Sequence, residues 1–297
     1  MTIATDEAEA LPTGPSRPLA EFWGRFARNR GAVVGLVIVG LVVVIAVIAP
    51  LLFPDSPWKM VQRPFLKPFQ VDGFWLGTDT LGRDVAAGLA HGARVSLIVG
   101  LISTLVALAI GVPLGALAGY FGGLVDDAAM RFTEFFQTIP SFALAIVLVA
   151  IFQPSLTSIV IAIAVVSWPP VARLVRAEVM SLKRREFVDA ARLQNLSNRE
   201  ILVREVLPNA MSPIIVMASL MVATAILLES SLAFLGLGDP NIMSWGYMIG
   251  ASRTVIRTAW WLSFFPGVAI LVTVLALNLI GEGLSDALNP RLARQGR

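Results

Sequence analysis

From Gly31 to Phe53 the chain carries no charged residue, and this apolar run constrains the fold more than any other feature. An α-helix rises about 1.5 Å per residue, so a run of this length crosses a hydrocarbon core about 30 Å thick. Further apolar runs lie at about 95–121, 138–152, 155–175, 211–235 and 262–284. Only 14% of residues are charged, against about 25% in soluble domains, and the mean hydropathy is +0.77. Backbone groups inside a bilayer must bond within their own segment, which leaves helices for such runs. The expected fold is all-α: a polytopic membrane protein with six transmembrane helices and no soluble domain.

Six crossings place both termini on one side of the membrane. The opposite side then holds only Lys59, Arg63, Lys67, Arg83, Arg94, Arg253 and Arg257. Every other Lys and Arg falls on the side of the termini, which the positive-inside rule makes cytoplasmic. Residues 1–20 are polar and acidic and lack the apolar core of a signal peptide, so a disordered tail is expected there. The segment Glu21–Arg30, EFWGRFARNR, suits either an interfacial helix on anionic lipid or a plain basic anchor. The expected organisation is a cytoplasmic tail and interfacial helix at 1–30, then a first span and extracytoplasmic loop at 31–94. A five-span core at 95–290 and a short basic tail at 291–297 follow. There is no cysteine, and the one histidine, His91, is expected at the surface; both facts argue against a protein-held zinc site.

The longest charged segment is Arg184–Pro208, RREFVDAARLQNLSNREILVREVLP. Phe187, Ala190, Ala191 and Gln194 recur at helical spacing and share one face. Asn195 stands where that helix should stop, and Asn tolerates the left-handed conformation of a helix C-terminus. Ser197 and Glu200 form a capping-box signature that opens a second helix, with Glu200 and Arg204 spaced i,i+4. Pro208 cannot continue that second helix unkinked and suits the first turn of the next one. A helix-turn-helix between two spans can transmit force; the same pattern also fits an ordinary solvated loop.

Asp189-Ala190-Ala191, then Asn195, then Leu207-Pro208 resembles the Glu-Ala-Ala loop of ABC importer permeases, with Asp for Glu and Asn for Gly. The likeness continues in order through WLGTDTLGRDV (75–85), AGYFGG (118–123), WPPVARLVRAEV (168–179), SLAFLGLG (231–238), SWG (244–246) and GEGLSDALNPR (281–291). Together these are similar to the second permease subunit of dipeptide, oligopeptide and nickel importers, over roughly 20–295. The resemblance implies a type I importer permease fold in a bacterial inner membrane. It implies a homologous permease partner, two cytoplasmic ATPases, an extracytoplasmic substrate-binding protein, and no nucleic acid. It also implies that 187–196 is a coupling helix, with Glu186, Phe187, Asp189, Ala190, Ala191, Asn195 and Pro208 as coupling residues. The chain has no GxxxxGK[ST] phosphate loop, so ATP and Mg would be held by the partner ATPases and this chain would need no cofactor. The expected cargo is peptide, with nickel, glutathione or another small solute as the alternative.

Several residues admit two readings. Glu186 and Asp189 suit pairing with an ATPase, or with Arg185 and Arg192 beside them. Lys183, Arg184 and Arg185 suit a lipid-headgroup anchor. Ala107, Gly111, Gly115 and Gly119 form a small-residue stripe, for packing within the chain or between subunits. Pro169-Pro170 interrupts a span, either at a transport pathway or as a packing kink. Glu229 lies in an apolar run and must face protein or a cavity, where it lines or gates a pathway or makes a structural hydrogen bond. Asp79, Arg83 and Asp84 suit a salt-bridged turn or a contact for the binding protein. Trp245, Trp260 and Trp261 suit a membrane interface. An ion-coupled secondary carrier would need buried ionisable groups, and Glu229 alone qualifies. A membrane enzyme would need a cluster of acid, base or metal groups, and none is evident.

Overall fold

Asn29 opens the first long helix: its side-chain oxygen accepts from the Ala32 backbone amide at 3.0 Å, and its side-chain Nδ2 donates to Asp286 at 2.9 Å. The computed structural model describes residues 18–288; the tails expected on either side lie outside the described residues. α1 (Pro18–Phe26) rests Phe22 and Phe26 against Ile280, Leu284 and Ala287 near the end of the chain. α2 (Arg30–Leu52) follows. It keeps Val37, Leu41, Val44, Val47 and Leu51 exposed, as a lipid-facing helix must, and buries the small residues Ala32, Gly35, Ala46 and Ala49.

α3 (Val85–Phe121) starts ten residues before the apolar run it contains, so the boundary expected at 94–95 falls inside a helix. Asp84 caps it by accepting from the Ala86 amide at 2.8 Å. α4 (Gly123–Gln137) and α5 (Ser141–Phe152) are bent by 79° across a short break. The segment with Asp126, Asp127, Arg131 and Glu134, expected as a polar turn, is therefore a 15-residue helix. Its charges are not all solvated: Asp126 pairs with Arg176 at 2.5 Å through both carboxylate oxygens. α6 (Leu156–Leu182) begins at a Ser155–Ser158 capping box and runs about two turns past its expected end at 175.

The small-residue stripe packs within the chain. A Cβ on Gly111 would lie 2.6 Å from the Val171 Cβ, and one on Gly119 would lie 2.7 Å from the Arg176 carbonyl oxygen. One on Gly115 would strike the Ala172 carbonyl. These partners advance in the same order along α3 and α6, so the two helices run parallel. The chain must return to the far end between them, and the bent α4–α5 pair is what carries it back. Among the described residues, five helices are long and apolar enough to cross a membrane, and α4–α5 taken as one span makes six.

After α6 come α7 (Glu186–Leu193) and α8 (Asn198–Glu200). A π turn at Ile201–Val206 then leads without interruption into α9 (Leu207–Leu232). α10 (Trp245–Ser252) tucks against α9 and α11 (Trp261–Leu288) completes the fold. Trp245 and Trp261 are each 2% exposed, which corrects the expectation of an interfacial aromatic set; only Trp260 is open. Their indole N–H groups donate to the Leu89 and Thr78 carbonyls, so they anchor the outer loop rather than sit in headgroups. No strand occurs among the described residues, only isolated bridges at Met60–Arg83 and Thr78–Asp84.

Candidate functional site: the elbow between α6 and α9

α7 is short because both its ends are signalled. Glu186 and Asp189 sit in its first turn, where the helix dipole favours negative charge, and Arg192 sits in its last. At its end Asn195 takes φ 57°, the left-handed conformation. The Leu196 amide donates to the Ala191 carbonyl and the Asn195 amide to the Arg192 carbonyl, which together make a Schellman stop. Ser197 then caps α8: its hydroxyl accepts from the Glu200 amide, and Glu200 accepts from the Ser197 hydroxyl and amide. Glu200 thus turns back on Ser197 and makes no ion pair with Arg204 among the described residues.

The face α7 buries differs from the expected one. Val188 and Ala191 are 0% and 5% exposed, packed with Val179, Ile201 and Val206, and Phe187 is half-buried against the same cluster. Ala190 and Gln194 point outward. The two alanines are divided between the two faces: Ala191 fits the core and Ala190 faces solvent. The open stripe is Glu186, Asp189, Ala190 and Leu193, spaced i, i+3, i+4, i+7. Leu193 is 86% exposed, and its place in that stripe was the sequence signal that went unread. Asp189 pairs with Arg192 at 3.0 Å, with both side chains largely in solvent, so the bond is weak and readily exchanged for a partner's charge. Glu186 has no ion pair among the described residues.

Pro208 stands in the first turn of α9, as expected. The turns before it run into α9 without a break, so the chain is helical from Asn198 to Leu232. A proline here lacks an N–H for the Arg204 carbonyl and crowds that turn. The π turn just before it loosens the ladder, with the Leu207 amide reaching Leu202, and the Asn209 side chain donates to the Glu205 carbonyl at 2.6 Å. The exit of the elbow is thereby continuous with α9.

Away from the elbow, Glu229 is 3% exposed. It accepts from the Ser244 hydroxyl at 2.6 Å and from Ser230 at 3.3 Å, and Ser244 in turn caps α10 through the Tyr247 amide. A Cβ on Gly246 would lie 2.6 Å from the carboxylate, so the Ser-Trp-Gly triplet is shaped to receive it. The carboxyl group faces protein and is held by hydrogen bonds from both serines. Arg83, 5% exposed, pairs with Asp79 at 2.5 Å and lies 5.1 Å from the Trp58 ring, which makes a salt-bridged turn of that segment. Burial pushes the neighbouring Asp84 carboxyl above its usual range, against the opposing pull of the Ala86 and Ala87 amides. Of the proline pair, Pro169 is buried and Pro170 opens onto a groove of about 960 Å³ between α4 and α6, beside Glu134, Gln137 and Arg173.

Residues 111–294 match the family described as binding-protein-dependent transport system inner membrane component. Residues 17–68 match the N-terminal TM domain of oligopeptide transport permease C. The Di/tripeptide transport system permease protein DppC of Pseudomonas aeruginosa is 44% identical, over 97% of this chain and 96% of its own. The Dipeptide transport system permease protein DppC of Escherichia coli K12 is also 44% identical, over 98% and 99%. The Glutathione transport system permease protein GsiD of Pectobacterium atrosepticum is 39% identical, over 93% and 92%. Among solved structures, a chain of the inward-facing MetNI methionine ABC transporter superposes with a TM-score of 0.57 at 18% identity, over 68% of this chain and 96% of that one; this likeness speaks for the fold. With an intact elbow, six crossings and a family match over most of its length, this chain belongs to the binding-protein-dependent inner membrane components, the permease subunits of ABC importers.

Proposed function

We propose that this chain is one of two homologous permease subunits in a bacterial inner-membrane importer of small peptides. Two cytoplasmic ATPases hold the ATP and Mg, and an extracytoplasmic binding protein delivers the cargo. Relatives named for di- and tripeptides at 44% identity support the peptide class, and the glutathione relative is named for a small peptide as well. Both termini and the elbow are cytoplasmic in this reading, since the basic residues crowd that side. The observation that carries the mechanism is the two-faced α7. Its inner face is fused to the α3–α6–α9 core, and its outer stripe of Glu186, Asp189, Ala190 and Leu193 is left for an ATPase groove.

The chemistry of coupling follows from that geometry. Leu193 supplies an apolar anchor, Ala190 lets the groove wall approach, and Asp189 and Glu186 meet cations. Phe187 and Ala191 pass the load inward, Asn195 sets the angle between the two arms, and Pro208 lies where the load enters α9. The groove beside Pro170 gives cargo a polar surface on this subunit. Reconstituted with its partners in proteoliposomes, the complex should take up labelled dipeptide only with ATP. Ala190→Arg should leave the chain inserted and folded in the membrane and abolish uptake. Normal uptake by a well-assembled Ala190→Arg complex would defeat the reading.

A further inference from the structure

Tyr120 is the penultimate residue of α3, within AGYFGG, and is 3% exposed. Its hydroxyl donates to Asn198 Oδ1 at 3.0 Å. Its carbonyl accepts from Lys183 Nζ, and that ammonium lies 5.4 Å from the centre of the Tyr120 ring. Lys183 directly follows α6, where the chain enters the elbow; Asn198 opens α8, where it leaves. Both ends of the elbow therefore close on one residue that belongs to neither flanking helix, Lys183 on its carbonyl and ring and Asn198 on its hydroxyl. The ring itself is packed in the cluster that holds Val179, Val188, Ile201 and Val206.

We infer that Tyr120 is a positioning residue for energy coupling, a clasp that delivers movement of the elbow to α3 as well as to α6 and α9. This rests on the reading of α7 as the ATPase contact. The covalent chain ties the elbow to α6 and α9 only. α3 is the helix that leads directly into the broken α4–α5 span, so a push delivered to it reaches that break alongside the Arg176–Asp126 link from α6. Gly119, beside Tyr120, brings α3 close to the Arg176 backbone, so a shift at this end cannot be absorbed by a gap. A single neutral hydroxyl-to-amide bond is also weak enough to break and reform during a transport cycle.

Tyr120→Phe keeps the ring and the backbone carbonyl and removes only the hydroxyl. The measured quantity is peptide taken up per ATP hydrolysed by the complete complex in proteoliposomes. Tyr120→Phe and Asn198→Ala should each lower that ratio by about fivefold, and the double variant should fall no further than either single. Asn198→Asp keeps an accepting oxygen and should restore the ratio. An unchanged ratio in Tyr120→Phe, whatever the absolute rates, overturns the clasp, and so does a double variant in which the two losses multiply. A wild-type complex whose uptake is independent of ATP overturns the proposed function and the clasp together, and is seen before any variant is made.

Discussion

Glu229 shows how a buried carboxyl group is made tolerable and what its burial predicts. Its carboxylate is held by two serine hydroxyls and walled by Gly246, with no opening to solvent. Glu229→Gln retains an oxygen for Ser244, so uptake should stay within about twofold of wild type. Glu229→Leu leaves the Ser244 hydroxyl without its acceptor and should cost about 1–3 kcal/mol, read as a lower melting temperature of the purified protein. Loss of uptake in Glu229→Gln at an unchanged melting temperature would instead give the carboxylate a role in the pathway. Asn195 is the second residue whose backbone decides its chemistry. At φ 57° a β-branched side chain collides with its own carbonyl, so Asn195→Val should destabilise the elbow by about 1–2 kcal/mol, whereas Asn195→Gly should be tolerated. Limited proteolysis of the elbow in membranes distinguishes the two: the valine variant is cut faster and the glycine variant is not.

At the scale of the helix, the two alanines of α7 separate a docking defect from a folding defect. Ala190→Arg adds charge to an open face, while Ala191→Arg drives a guanidinium among Val188, Ile201 and Val206 with no carboxylate to meet it. The second should reduce the amount of folded protein recovered in detergent several-fold, and the first should not; equal recovery of both would mean that α7 is not seated as described. The difference between the two was not readable in the sequence. Capping signals are local, so Ser197, Glu200 and Asn195 announced their roles. The rotation of an eight-residue helix is set by what packs on it, and Val188 is as good a core residue as Phe187 on pattern alone. The same limit explains α4, whose charges look solvated until Arg176 is brought to Asp126 from fifty residues away. It explains Trp245 and Trp261 too, since an indole that bonds a distant carbonyl has the same local sequence as one that lies in headgroups. The glycine stripe was legible because close approach demands small residues whatever the partner.

For the whole molecule, the side on which α7 lies depends on the parity of crossings, and parity depends on α4–α5. If that bent pair dipped into the membrane and returned, α6 would run opposite to α3 and α7 would emerge on the outer side, beyond reach of any ATPase. The parallel register of α3 and α6 requires a full crossing instead, because Gly111, Gly115 and Gly119 meet residues in ascending order from Trp168 to Val179. The absence of cysteine makes this directly measurable with single introduced thiols and a membrane-impermeant reagent. Leu124→Cys at the start of α4 and Arg199→Cys in the elbow should label only in inverted vesicles, and Pro154→Cys beyond α5 only in right-side-out ones. The outer-loop variant Asp72→Cys should follow Pro154→Cys. Labelling of Leu124→Cys and Pro154→Cys from the same side would contradict the register and remove the elbow from the cytoplasm. Opposite sides for that pair, with Arg199→Cys on the side of Leu124→Cys, would place the α7 stripe where a nucleotide-driven partner can push it.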